Sequence, residues 1–355
     1  MLQVDDYLPQ RVNTGPWLTS YTLNRLRRLD SKTDLVLPIC SLGTDLSHMT
    51  GLGDLHLPPL FHEALDGDLK RRIVTQIHRC FPGHEGSSRL SDNMPELRVV
   101  ELPPAVPPRV DAPRILAFSV DTAVEEHGPH LPLATDTIQS YGVLRELARE
   151  YEGFVAGPPV EYGQLTWGLP FGYSVDLTAE LLTAYVTRFT NAALDWLQPE
   201  SLYVVDVHGS IVHRRAIVSG LEQSRAVRWA FRWLHEPLAE FSSARGDQHA
   251  GGVETAFVEH LSPDLLDSDW WPARIEDIAA GEMSFERAVE LTPDLPRFFQ
   301  EVEDKGFNGI IGRIKNYRSL DSRELFERAL SSARADVESL LGGSSIERSA
   351  GEQLW

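Results

Sequence analysis

Cysteine is nearly absent from this sequence: Cys40 and Cys80 are the only two in 355 residues. Neither belongs to a Cys-x-x-Cys pair, so no zinc finger or disulfide framework can organise the fold. Both read as buried thiols in a reducing compartment. Basic charge is short as well, with 33 Lys and Arg against 52 Asp and Glu and a net charge of −19. A surface built to neutralise phosphates is not expected, nor nucleic acid as a partner. No apolar run reaches the roughly 18 residues that cross a bilayer, so no membrane partner is expected. The first ten residues, MLQVDDYLPQ, lack the basic-then-apolar pattern of a secretory signal. The expected location is the cytoplasm. Ser-His-Asp nucleophile patterns, P-loops and Gly-x-Gly-x-x-Gly runs are also missing.

What remains is ordinary for a soluble protein: 42% hydrophobic and 24% charged residues. The length allows one large domain, or one domain with an extension. In the first part, the pattern predicts a helix over 19–29, a strand over 35–40 and a helix over 61–82. Residues 83–113 are rich in Gly, Ser and Pro, and the prolines of 101–109 force an extended strap or linker. From 114 onward strands and helices alternate. Strands are expected at 114–120, 154–159 and 202–207, and helices at 137–151, 178–197, 211–222, 253–262 and 321–341. Residues 225–241 resist assignment, and 263–308 read as acidic and irregular. Alternation of this kind predicts an α/β fold, three-layer α/β/α with a mostly parallel sheet. The expected division is an N-terminal extension over 1–111, part of the main domain or packed on it, a domain over 112–341, and a disordered tail over 342–355.

The chemistry concentrates in Glu125-Glu126-His127-Gly128-Pro129-His130-Leu131-Pro132-Leu133-Ala134-Thr135-Asp136. Glu125, His127 and Asp136 are three potential metal ligands following a strand. Glu125 and His127 are two apart, so on an extended backbone both point the same way. Carboxylate mixed with imidazole suits Zn, Mn or Fe better than Ca or Mg. Histidines and acids in loops are more often merely solvated, and two further segments decide against that here. His208 follows the strand 202–207 in Val-Asp-Val-His-Gly-Ser. His249 and Glu254 stand five apart in His-Ala-Gly-Gly-Val-Glu, a glycine loop opening a helix whose free N–H groups favour an anion. Ligands at the carboxyl ends of strands are the rule for such sheets. His130 reads as a loop brace, and Glu126 as solvent-facing or as a support to the ligands. His48 and His56 sit in a faint echo of the main motif and read as a chance likeness or a loop lining the site. Trp270 and Trp271 read as core or oligomer contacts.

Taken together, EEHGPHLPLATD, VDVHGS and HAGGVET resemble the motifs of the creatininase (creatinine amidohydrolase) family over roughly 112–340, with a weaker match at 309–312. That resemblance implies a metal-dependent hydrolase holding two divalent metal ions (Zn, Mn or Fe) per chain. It implies Glu125, His127, Asp136 and His208 as metal ligands, with Asp136 bridging. The family's second-metal Glu is Ser210 here, which leaves Glu254 to complete that site. His249 becomes the general acid/base, alongside Glu254 in the catalytic set. Asp206 stands where the family has Asn, and Thr122-Ala123 where it has Gly-Ser. Trp167, Phe171, Ser210 and Asp206 are the expected substrate-binding residues. Three carboxylates against two divalent cations leave about +1, which one hydroxide neutralises, the balance that generates a nucleophile at neutral pH.

The expected activity is therefore hydrolysis of a small polar, cyclic amide by a metal-activated water. The alternative is ring-opening C–C hydrolysis of an oxidised inositol such as 3-dehydro-scyllo-inosose. A second alternative is a non-catalytic metal-binding subunit, suggested by Ser210. Expected partners are a small-molecule substrate and copies of the same chain, in a homo-oligomer that the resemblance makes a hexamer.

Overall fold

A computed structural model describes residues 17–30, 32–44, 49, 51–81, 95–107, 111–165, 167–267 and 274–343. His48, Trp270, Trp271 and the expected disordered tail beyond 343 lie outside the described residues.

The main sheet is built from β5 (Ile115–Ser119), β6 (Phe154–Ala156), β7 (Ser201–Asp206) and β8 (Trp229–Trp233), all parallel in the order β6-β5-β7-β8. Each residue of β5 and β7 is buried, because successive side chains face opposite layers and both layers are covered. Leu116, Phe118, Leu202 and Val204 join one apolar cluster with α4 (Ala179–Leu197) and α5 (Ile211–Gln223). Ile115, Ala117, Tyr203 and Val205 join another with α3 (Thr135–Glu150), α7 (Gly252–Leu261) and α11 (Ser322–Leu341). The result is the three-layer α/β/α architecture with a parallel sheet.

The N-terminal part builds a second parallel sheet around β1 (Leu35–Cys40). β4 (Leu97–Glu101) runs along it from Leu35 to Ile39, while β2 (Leu55–His56) and β3 (Leu60–Phe61) pair with its two ends. This sheet and the main one share an apolar cluster through α4. Phe189 of α4 meets Phe61 of β3 at 5.8 Å on one side and Phe118 of β5 at 5.1 Å on the other, centroid to centroid.

Several expected boundaries hold to within two residues, α3, α4, α7 and α11 among them. Others need correction. In place of a helix over 19–29 there is a 3-10 turn (Leu18–Ser20) and a short α1 (Leu23–Leu26). Tyr21 and Thr22 are extended between them, since their neighbourhood is tied to the distant 132–134 loop. Leu133 N–H donates to Tyr21 O at 3.1 Å and Ala134 N–H to Thr19 O at 3.0 Å, and Thr22 bridges to Pro132. The helix expected over 61–82 is α2 (Gly67–His78), held back to its Asp66 cap, which accepts from Asp68 and Leu69 N–H. Residues 225–241 supply β8. Residues 263–308 are not irregular: they contain α8 (Ile275–Ala279), α9 (Phe285–Leu291) and α10 (Leu295–Lys305). Among the described residues no helix is long and apolar enough to cross a membrane.

Candidate metal centre

The chain leaves β5 toward β6 on one side of the sheet and returns to β7 on the other, so the carboxyl ends of β5 and β7 form a topological switch point, the usual ligand crevice of such sheets. The loop after β5 carries Glu125 and His127 there, Asp136 follows in the first turn of α3, and His208 comes off β7.

His127 donates Nδ1–H to the carbonyl of Glu125 at 3.0 Å, which leaves Nε2 with a lone pair. That nitrogen is buried and lies 3.2 Å from Asp136 Oδ1, yet makes no well-aligned hydrogen bond. His208 works the other way round. Its Nε2–H donates to Gln164 O at 3.1 Å, and its Nδ1 lies 3.0 Å from Glu125 Oε2 and 3.5 Å from Asp136 Oδ2. Thr122 Oγ1 contacts both carboxylates, at 2.5 Å from Asp136 Oδ2.

The third segment comes in from α7. His249 pairs with Ile311 in both directions, N–H to O at 3.1 Å and 2.9 Å, and Ala250 takes a left-handed φ of 53° to turn the chain. Glu254 reaches back to accept the Ala250 N–H at 2.5 Å, a helix-start contact that fixes its carboxylate. His249 Nε2–H donates to Glu126 O at 2.6 Å, and its ring lies 4.4 Å from that of His127. Ligand-capable atoms fall into two triads, each within 4.8 Å: Glu125, His127 and Asp136, and His127, His249 and Glu254. His127 belongs to both.

The acids dominate the electrostatics. Burial pulls the His127 imidazole down, but Asp136, Glu254 and Glu125 outweigh it and push it up to about 10. Burial opposes charge on His208 too, and Glu125 and Asp136 raise it well above its ordinary value. Burial raises the Glu254 carboxyl against the pull of His127 and His249. Carboxylates crowded in this way demand positive charge, whether protons on imidazoles or cations. A buried Nε2 beside a carboxylate, imidazoles whose other nitrogen is tied to a carbonyl, and converging carboxylates are a donor set that suits a transition metal. The residues fit divalent ions.

The other expected site residues have other contacts. Ser210 caps α5, accepting from His213 N–H at 3.3 Å, and donates to Gln164 Oε1 at 2.8 Å. Asp206 is fully buried, with Oδ1 3.5 Å from His213 Nε2; burial first, then Asp121, push its carboxyl well above the usual range. Trp167 and Phe171 pack on the small cluster of Met283, Leu291 and Phe298, and the Trp167 indole donates to Thr292 Oγ1 at 2.7 Å. Their loop still borders the centre, because a Cβ at Gly168 would lie 2.9 Å from Glu125 Oε1.

Two of the residues around the centre were given no role by the sequence reading, and a third had two readings. Gln164 ties His208, Ser210 and, through its N–H, His213. Thr122 touches two carboxylates. Glu126 is buried rather than solvent-facing, and its carboxylate fills the space where a side chain at Gly309 (φ +96°) would stand. The His130 ring meets Thr255 Oγ1 at 2.9 Å and so ties the loop to α7.

A parallel α/β/α sheet with a carboxylate–imidazole cluster at its switch point has the make-up of an α/β metalloprotein. Residues 116–335 match the family model Creatininase, described as creatinine amidohydrolase. The chain belongs to the creatininase family of metal-dependent amidohydrolases. It is 31% identical over 212 residues to a mycofactocin precursor peptide peptidase of Mycobacterium ulcerans, covering 58% of this chain and 77% of the relative. Three further relatives of that description are spanned over 58–60% of their own lengths. A crystal structure described as a putative creatinine amidohydrolase from Bacteroides fragilis aligns at 17% identity and a TM-score of 0.49, over 65% of this chain and 90% of that one. A structure described as "Creatininase Mn" aligns at 16% identity and 0.46, over 64% and 90%.

Proposed function

We infer that this chain is a two-metal hydrolase that cleaves an amide C–N bond in a peptide-type substrate. The observation that supports the metal reading most is His127, a buried imidazole that belongs to both ligand triads while its Nδ1–H is held by the Glu125 carbonyl. In this reading Glu125, His127, Asp136 and His208 would hold the ions, and Glu254 would complete the second position that Ser210 cannot. Zn, Mn or Fe suits the donors. Ions bound there would polarise an amide carbonyl and bring the pKa of water from 15.7 to about 7.

The chain's own residues do the rest. His249 has its Nε2–H committed to Glu126 O, so Nδ1, 3.8 Å from Glu125 Oε1, is the nitrogen that moves a proton. It delivers that proton to the departing amine. Glu254, anchored by the Ala250 N–H, keeps negative charge beside it. The loop carrying Trp167 and Phe171 forms the wall next to Glu125. Ser210 contacts Gln164 and Asp206 lies by His213, which supports a role for both behind the ligands rather than on the substrate.

The descriptions of the mycobacterial relatives favour a peptide over a small cyclic amide. The test is metal-replete protein assayed for amine release from short peptides, with cyclic amides and keto-inositols as comparison substrates. Metal-dependent peptide cleavage that Glu125→Gln abolishes without unfolding is the expected result. Cyclic-amide hydrolysis alone would return the substrate to the small-molecule class. A folded, metal-loaded chain with no turnover on any of them would make it a binding subunit. Assembly as a homo-oligomer in the cytoplasm belongs to the same proposal, and sedimentation tests the first part.

A further inference from the structure

Thr122 lies between β5 and Glu125 and is 1% exposed. Its Oγ1 is in contact with Glu125 Oε2 and 2.5 Å from Asp136 Oδ2. His208 Nδ1 approaches the same two oxygens, at 3.0 Å and 3.5 Å. Four polar atoms from four separate points of the chain therefore converge, and three of them belong to side chains taken above as metal ligands. The methyl of Thr122 settles where its hydroxyl points. Cγ2 fills the space that a side chain at Gly163 would need, against His213. A β-branched residue has few χ1 choices, and with the methyl held there the hydroxyl is left facing the carboxylates.

We propose that Thr122 is a positioning residue of the metal centre, its hydroxyl setting the orientation and spacing of the Glu125 and Asp136 carboxylates. A hydroxyl carries one proton and two lone pairs, so it donates to one carboxylate at a time while standing between both. Asp136 is held from two sides, by the hydroxyl at Oδ2 and by His127 Nε2, which lies 3.2 Å from Oδ1. Partners of this kind, touching ligands rather than the ion, commonly govern metal affinity by about 10- to 100-fold. The inference rests on the metal centre proposed above.

The test is a Zn2+ titration of the full chain, stripped with chelator and dialysed, in competition with a chromophoric chelator. Thr122→Val keeps the shape and removes the hydroxyl, and Thr122→Ser keeps the hydroxyl and removes the methyl. The expected result is binding about ten-fold or more weaker in the Val variant, and restored to within about three-fold of wild type in the Ser variant. Equal affinity in the Val variant overturns the proposal. So does a Ser variant as weak as Val, since packing of the methyl would then be the whole effect. If the Val variant does not fold by circular dichroism, Ser is compared with Thr122→Ala, and equal affinity of those two overturns it. Wild-type protein that takes up no zinc overturns the metal centre and this inference together, whereas wild type that binds, with Val unchanged, overturns this inference alone.

Discussion

His127 donates its Nδ1–H to the carbonyl oxygen of Glu125, two residues earlier, at 3.0 Å. One candidate ligand thereby sets the tautomer of the next, and Nε2 is turned into the buried centre with its lone pair available. Because His127 belongs to both triads of candidate ligands, a change there bears on both.

Metal content should report this coupling. Replacing Glu254 by Gln is expected to lower bound metal from about two ions per chain to about one, whereas His127→Ala should lower it to near zero. Elemental analysis of protein purified without chelator decides. Retention of one full equivalent in His127→Ala would mean that the positions are filled separately.

Gly309 should tolerate no side chain. Its φ of +96° disfavours any L residue, and an added Cβ would overlap the Glu126 carboxylate. Gly309→Ala is expected to cost about 1–3 kcal/mol of stability. It should also slow turnover, since Glu126 O is the acceptor that orients His249. Thermal melts and kcat measured on the same preparation separate the two effects.

The Arg232–Asp336 pair pins the last long helix to the sheet. Two hydrogen bonds of 2.7 Å and 2.6 Å join them, and Tyr203 donates to the same Asp336 Oδ2 at 3.1 Å. Both side chains are largely buried. Asp336→Ala leaves Arg232 uncompensated, and about 3 kcal/mol or more should be lost. Urea unfolding measures it, and a loss under about 1 kcal/mol would show that water reaches the guanidinium.

Acid sensitivity should follow His235. Burial pulls its imidazole from 6.5 down to about 4, and its Nε2–H donates to Gln139 Oε1 at 2.9 Å. Below pH 6.5 the unfolded chain takes up a proton that the folded one refuses. Its contribution is therefore complete above about 6.5 and is lost as pH falls toward 4, at about 1.4 kcal/mol per unit. His235→Gln should flatten the dependence of the urea midpoint on pH between 6.5 and 5. An unchanged slope would place the acid response elsewhere.

The motifs were legible because each is local: a strand end, a glycine, a ligand. Glu125, His127, Asp136, His208, His249 and Glu254 sit together because β5 and β7 are neighbours and α7 starts beside them. What escaped depends on contacts between distant parts of the chain. For Glu126 the sequence leaves a surface acid and a support to the ligands both open, and only the space at Gly309 decides for burial. Tyr21 and Thr22 sit in a helical pattern but pair with the 132–134 loop instead. In α9 and α10 the acidic residues hid short amphipathic stretches, although Ser284 and Asp294, which accept from Arg287 N–H and Arg297 N–H, were readable as caps.

The hydrogen bonds from Leu133 and Ala134 to Tyr21 and Thr19 also bear on how the chain is made. On the ribosome Trp17–Leu26 emerges long before the loop it braces, so this contact cannot form during early synthesis. Closing such distant segments is slow, and the loop that presents Asp136 gains its brace only after β5 and its flanking chain have appeared. The ligand loop thus depends on chain made more than a hundred residues before it. An expression clone trimmed to the family-matched stretch would omit the very residues that complete it, and would be expected to yield a folded sheet with a loosened ligand loop.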